Sequence, residues 1–157
     1  MKCFVFLLLS SFLVSFSASA AECKKEEAKK SVEWACAQIE KSGKDGLKAI
    51  KDFKYCGQNY VWIQDSPEIR MVLHPIKRKL NHKAHGGRNK KDLKAYKDKK
   101  GKAIFIEFDK VALAKKDGGW VDYVWPKPGA EDATPKVSYV KKCAGGLNWV
   151  AGSGVWK

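Results

Sequence analysis

The sequence predicts an α+β domain: an antiparallel sheet with helices packed on it and one long crossover between its second and third strands. Three observations lead there. Between Gly118 and Lys157, three β-branched and aromatic runs (Trp120–Trp125, Lys136–Lys141, Asn148–Trp156) are separated by the turn sequences Pro126-Lys127-Pro128-Gly129 and Ala144-Gly145-Gly146, which is the pattern of a meander. Upstream, two more runs, Asn59–Asp65 and Ile69–His74, flank Ser66-Pro67-Glu68 as a hairpin. The excursion Pro75–Gly118 between these groups holds a single helical period, so five strands are joined by a loop-helix crossover.

The elements follow in order. From Glu22 to Lys41, Ala28, Val32, Ala35 and Ile39 recur on one helical face with Cys36 beside them, and lysines and glutamates fill the other. Gly43 is placed to end this helix, and Asp45 to cap a shorter one that turns Leu47, Ile50 and Phe53 inward. On the first strand Tyr60, Trp62 and Gln64 share a face, opposite Val61 and Ile63. On the second, Arg70, Val72 and His74 oppose Ile69, Met71 and Leu73, and Pro75 ends the pairing because it has no N–H to give. Ala103–Lys116 reads as a helix with Ile104, Phe105, Phe108, Val111 and Ala112 as its core stripe, stopped by Gly118-Gly119. In the meander Val121, Tyr123 and Trp125 share one side. On the next strand Val137, Tyr139 and Lys141 oppose Lys136 and Ser138, which sets polar donors among aromatic walls.

The N-terminus, Met1-Lys2, an apolar run from Phe4 to Phe16 and then Ser17-Ala18-Ser19-Ala20-Ala21, has the three regions of a secretory signal, assigned to residues 1–21. The apolar run is shorter than the roughly 20 residues needed to span a bilayer, so no stable membrane insertion is expected. One domain, residues 22–157, follows. It keeps Cys23, Cys36, Cys56 and Cys143, an even set that in an exported protein implies disulfides. Cys23 and Cys36 on one helix would stand about 20 Å apart and cannot pair. Cys36–Cys56 with Cys23–Cys143 is the preferred connectivity.

The formal net charge is +14. From Lys77 to Lys102 twelve Lys/Arg accompany only Asp92 and Asp98. This segment is either solvated surface or a patch for a polyanion such as nucleic acid, polysaccharide or lipid headgroups. Tyr96 is its one aromatic residue, which gives no support for base stacking. His82 and His85 form an H-x-x-H pair with no carboxylate or thiolate near it in sequence, followed by Gly86-Gly87, so no metal site is assigned.

Several stretches, taken together, resemble a known family. They are Tyr60-Val61-Trp62 with Asp65, Met71-Val72-Leu73-His74-Pro75, Asp92-Leu93-Lys94 with Gly101-Lys102, Gly119 through Gly129, Pro135 through Val140, and Gly152-Ser153-Gly154-Val155-Trp156. In order and spacing they resemble a stand-alone, secreted single Cache domain of the second type, a PAS-like sensor fold found outside the membrane in bacterial chemoreceptors and histidine kinases. The resemblance implies a sheet of order 2-1-5-4-3 and a pocket for a small ligand, often a short-chain carboxylate. It places Tyr60, Trp62, His74, Tyr123, Trp125, Lys136 and Tyr139 around that pocket. The chain departs from the family pattern in its Ser66-Pro67-Glu68 turn, its basic loop after His74-Pro75 and its four cysteines.

The function expected is therefore ligand sensing in the periplasm or outside the cell, with no cofactor. The chain ends at Lys157 without a signalling domain, so the signal would pass to a separate partner, such as a membrane receptor or kinase, or the ligand would only be sequestered. The alternative is a basic interaction protein that binds a polyanion or envelope component through residues 77–102. No Ser/His/Asp order, carboxylate dyad or metal cluster points to an enzyme. Asp65 and Asp122 read as structural. A small aromatic-walled chamber beneath the crossover is the central structural expectation.

Overall fold

The computed structural model describes residues 23–157; the signal segment assigned to residues 1–21 lies outside them. Helix α1 (Lys25–Ser42) buries Ala28, Val32, Ala35, Cys36 and Ile39, as their spacing requires, and ends at Gly43 (φ 55), whose N–H is donated to Ile39 O. Asp45 is not the cap expected of it. Residues Gly43–Asp45 form a 3-10 turn that runs straight into α2 (Gly46–Asp52), so Asp45 is already helical (φ −68) and cannot take the extended conformation of a capping residue. Its carboxylate instead meets the exposed Lys48 ammonium at 2.9 Å.

Five antiparallel strands follow: β1 (Val61–Asp65), β2 (Met71–Leu73), β3 (Gly119–Pro126), β4 (Ala133–Lys142) and β5 (Trp149–Trp156). They form one sheet in the order β2-β1-β5-β4-β3, as the family resemblance implied, with α3 (Ile104–Ala114) in the crossover. The first two strands are shorter than the sequence suggests. Ile69 sits at φ 56 and the Arg70 N–H is donated to Asp65 Oδ1, so both belong to the turn. At the far end the His74 N–H leaves the ladder for Asn81 Oδ1 at 2.7 Å.

Each face of the sheet carries its own core. On one, Val32, Ala35, Cys36 and Ile39 of α1 and Ile50 of α2 pack on Val61, Ile63, Tyr139, Trp149 and Ala151. On the other, Ile104, Phe105, Phe108 and Ala112 of α3 lie over Tyr60, Trp62, Val121, Tyr123, Trp125, Val140 and Val150. Period-2 alternation sorts β1 and β3 as the sequence indicates. It fails on β2, where Val72 and Leu73 both join the α1 side while Ile69 and Met71 join the other. A register shift opposite Ile63/Gln64 breaks the alternation there. The next residue, His74, consequently turns toward Tyr60 rather than sharing a face with Val72.

The disulfides are Cys23–Cys56 and Cys36–Cys143, which corrects the connectivity preferred from sequence. The position of α1 explains the exchange. Its buried face lies on β4 and β5, which brings Cys36 to Cys143 just past the end of β4, with Cα atoms 4.9 Å apart. Its N-terminus lies beside the tight turn closed by the Tyr55–Asn59 bridge, which presents Cys56 to Cys23 at a Cα distance of 5.6 Å. No described helix is long and apolar enough to cross a membrane.

Candidate functional site

The α3 face of the sheet gathers aromatic side chains from separate strands. Tyr60 and Trp62 rise from β1, His74 from the exit of β2, and Tyr123 and Trp125 from β3; Ile104, Phe105 and Phe108 of α3 form the roof. The rings are in mutual contact: Tyr60 and His74 centroids are 4.9 Å apart, Trp62 and Phe108 5.0 Å, Phe108 and Tyr123 5.0 Å. The chamber expected from sequence is present but nearly closed. The space left open to the centre of a water molecule is ≈ 10 Å³, room for a single water.

A chain of hydrogen bonds fixes the protons in this wall. His74 Nδ1 accepts from the Lys77 N–H at 3.0 Å, which assigns the ring proton to Nε2, 3.4 Å from the Tyr60 hydroxyl. Trp125 Nε1 donates to the same hydroxyl at 3.1 Å. Tyr60 Oη thus accepts twice and keeps its own proton to give. Burial lifts the Tyr60 phenol well above its ordinary pKa, so that proton stays in place. Burial, reinforced by the charges of Lys136, Lys77 and Lys54, holds His74 neutral. Nearby, Tyr123 and Ser138 share a hydrogen bond of 3.0 Å, while the buried Trp62 Nε1 has no partner among the described residues.

Lys136 is the unusual member. It is 1% exposed, yet its ammonium has no carboxylate within ion-pair distance and no hydrogen-bond partner among the described residues. Nζ lies instead 3.8 Å from the Trp156 ring centroid and 4.8 Å from that of Tyr60. Burial alone draws its pKa down to about 7. Lys136 also borders a shallow open concavity shared with Tyr123, Asp98, Lys102 and Asp122.

Of the residues proposed from sequence, Tyr60, Trp62, His74, Tyr123, Trp125 and Lys136 are brought together. Tyr139 is not. Lys136, Ser138 and Val140 point to the α3 side, so Tyr139 points to α1, where its ring lies 5.1 Å from Trp120. Trp156 was missed, although antiparallel register sets it directly across from Lys136, a pairing the meander itself implies. Phe105 and Phe108, core residues by their helical spacing, are also the chamber's roof.

The H-x-x-H pair is structural. His82 Nδ1 accepts from the Ala84 N–H, and His85 Nε2 meets Asp65 Oδ2 at 2.9 Å, tying the basic loop to β1. The carboxylate absent from the local sequence comes from a distant strand. Among the described residues no group of acidic, His and Cys side chains is arranged to hold a metal ion.

A family model described as a Cache domain matches residues 21–157. The chain belongs to the Cache domain family. This Cache domain is 36% identical over 118 residues to the methyl-accepting chemotaxis protein McpP of Pseudomonas putida, a match covering 74% of this chain and 20% of that protein. The chain thus corresponds to about a fifth of the curated relative's length. Two solved domains are similar in fold and sequence. One is a periplasmic sensor domain of a chemotaxis protein (TM-score 0.65, 35% identity, 83% of this chain and 88% of the other). The second is a Cache chemosensory domain described for its carboxylic acid recognition (TM-score 0.62, 31% identity, 83% and 86%). A methyl-accepting chemotaxis protein of Vibrio parahaemolyticus, 22% identical, shares the fold (TM-score 0.67, 84% and 87%). The first two of these solved relatives are sensory domains by description.

Proposed function

We propose that this Cache domain senses a small carboxylate held between Lys136 and the aromatic chamber. One observation carries the proposal: a lysine side chain only 1% exposed, with no counter-charge among the described residues. An isolated buried charge is costly in a protein interior, and an arriving carboxylate would relieve that cost through a charge-assisted bond. The Tyr60 hydroxyl and the unpartnered Trp62 Nε1 supply further donors, a set suited to an anion and unsuited to an amine. The chamber as it stands holds a single water, so a ligand of even a few atoms requires the α3 roof to move outward. The carboxylic acid recognition described for a similar Cache domain agrees with this chemistry. A periplasmic setting suits the two disulfides, which persist in oxidising compartments.

Calorimetric titration with acetate, propionate, lactate and pyruvate, with methylamine as the contrasting probe, tests the reading. A monocarboxylate present at 100-fold its dissociation constant adds about 2.7 kcal/mol to stability. Lys136→Met should abolish that gain while retaining the fold. Absence of binding by every monocarboxylate, or unchanged affinity in Lys136→Met, would exclude the proposal.

A further inference from the structure

His74, which lines the chamber, also lines an open groove with a volume of ≈ 630 Å³. Its walls carry Lys51 from α2, Arg78 and Lys79 from the 3-10 turn Arg78–Leu80, and Arg88 from the loop beyond Lys83–His85. No Asp or Glu is among the residues that line it, and none of these four cations forms an ion pair with a described residue.

The segment behind the groove is held in place. The His82 N–H is donated to Met71 O at 2.8 Å, and the Asn89 N–H to Asn81 O at 2.9 Å. The Asn81 side chain accepts from the His74 N–H, and His85 is tied to Asp65. Gly87 packs so closely on Asn81 that an added Cβ would overlap the Asn81 carbonyl. Basic side chains from three chain segments therefore converge on a concavity whose backbone is fixed before any ligand arrives.

We propose that this groove is a second binding site, separate from the carboxylate chamber, and that it takes a compact oligophosphate. Four cations and no acid call for an anion with several charges in a small volume, which phosphate groups supply and a monocarboxylate does not. Two guanidinium groups offer the planar fork that phosphate oxygens match in pairs. His74 is the only aromatic side chain lining the groove, and it is buried, so nothing here offers stacking to a nucleobase. The anion is thus recognised through its phosphates. They could be free or carried on a lipid headgroup, and the chemistry would be the same.

Inorganic tripolyphosphate is the probe, titrated into the protein by calorimetry with citrate and acetate alongside. Arg78→Glu/Arg88→Glu is compared with Lys115→Glu/Lys116→Glu, which changes net charge equally on exposed residues at the end of α3. We expect binding that weakens at least about tenfold in the groove variant and changes little in the α3 variant. Equal losses in both variants would reduce the effect to overall charge and overturn the site. So would absent binding, or citrate binding as tightly as tripolyphosphate. Cosedimentation with cardiolipin vesicles, lost in the groove variant and competed by tripolyphosphate, would identify the lipid headgroup as the source of the phosphate. Unchanged melting temperatures in both variants establish that the fold is intact. Because the groove and Lys136 are titrated with different anions, failure of one proposal leaves the other standing.

Discussion

Lys136 and Trp156 face each other across the β4–β5 ladder, with the Lys136 ammonium 3.8 Å from the centre of the indole ring. The ring face offers attraction to a cation, but only about 2 kcal/mol even when desolvated. That is less than burial takes away, and the pKa falls to about 7. The residue is thus poised between its charged and neutral forms near neutrality.

A first prediction follows from the sign of that shift. Above pH 7 the folded protein has released the Lys136 proton, whereas the unfolded chain holds it up to the ordinary lysine range near 10.5. The unfolded state therefore binds more protons between pH 7 and about 10, and stability contributed by this group rises with pH across that window. The slope approaches about 1.4 kcal/mol per pH unit. Tyr60 works in the opposite direction, but only once pH passes 10, because its pKa is raised in the fold. Urea unfolding from pH 7 to 9.5 should show the rise in the wild type and lose most of it in Lys136→Met. An identical slope in the variant would mean that another group carries it.

The same shift predicts that carboxylate binding takes up a proton. At pH 8 most Lys136 side chains in the free protein are neutral, so the anion must bring a proton with it. Affinity then strengthens as pH falls from 9 toward 7 and levels off below. Calorimetry in buffers of different ionisation enthalpy reads the uptake directly, and a value of zero at pH 8 contradicts the arrangement.

Tyr60→Phe removes one oxygen and strands two donors. Trp125 Nε1 and His74 Nε2 both lose their acceptor within a buried wall. Leaving a buried donor unpaired costs about 1–3 kcal/mol, so the variant should melt earlier by an amount that Phe, which keeps the ring packing, cannot offset. Tyr139→Phe is the control: it lies on the α1 face and its hydroxyl forms no hydrogen bond among the described residues. Equal melting temperatures for the two variants would argue against the assigned network.

Much of this architecture was legible in the residues. The five strands, the stripe of α3, and the inward set Tyr60, Trp62, Tyr123 and Trp125 follow from periodicities that a packed sheet enforces. What stayed hidden depends on relations between distant segments. The disulfide partners required knowing where α1 lies on the sheet, and His85 found its carboxylate in Asp65 on another strand. His74 turned to the chamber because of a register irregularity in β1–β2, which alternation along one strand cannot reveal. Tyr139 was misplaced for the converse reason: the family implied it, while the alternation from Lys136 through Val140 already pointed it away.

The two disulfides should differ in what they contribute. Each restricts the unfolded chain, and the restriction grows with the length of chain enclosed. Cys36–Cys143 spans 107 positions and Cys23–Cys56 spans 33. In the chain-entropy treatment these correspond to about 4.8 and about 3.7 kcal/mol, a difference near 1 kcal/mol. Cys36–Cys143 also joins α1 to the end of β4, adjoining the core that includes Ile39, Tyr139 and Trp149. Cys23–Cys56 joins the chain just before α1 to a surface turn. Denaturant unfolding of Cys36→Ala/Cys143→Ala should therefore show the larger loss, with Cys23→Ala/Cys56→Ala retaining a cooperative transition. A greater loss in the second pair would show that the α1 N-terminus, rather than its junction with β4, governs the stability of the sheet's α1 face.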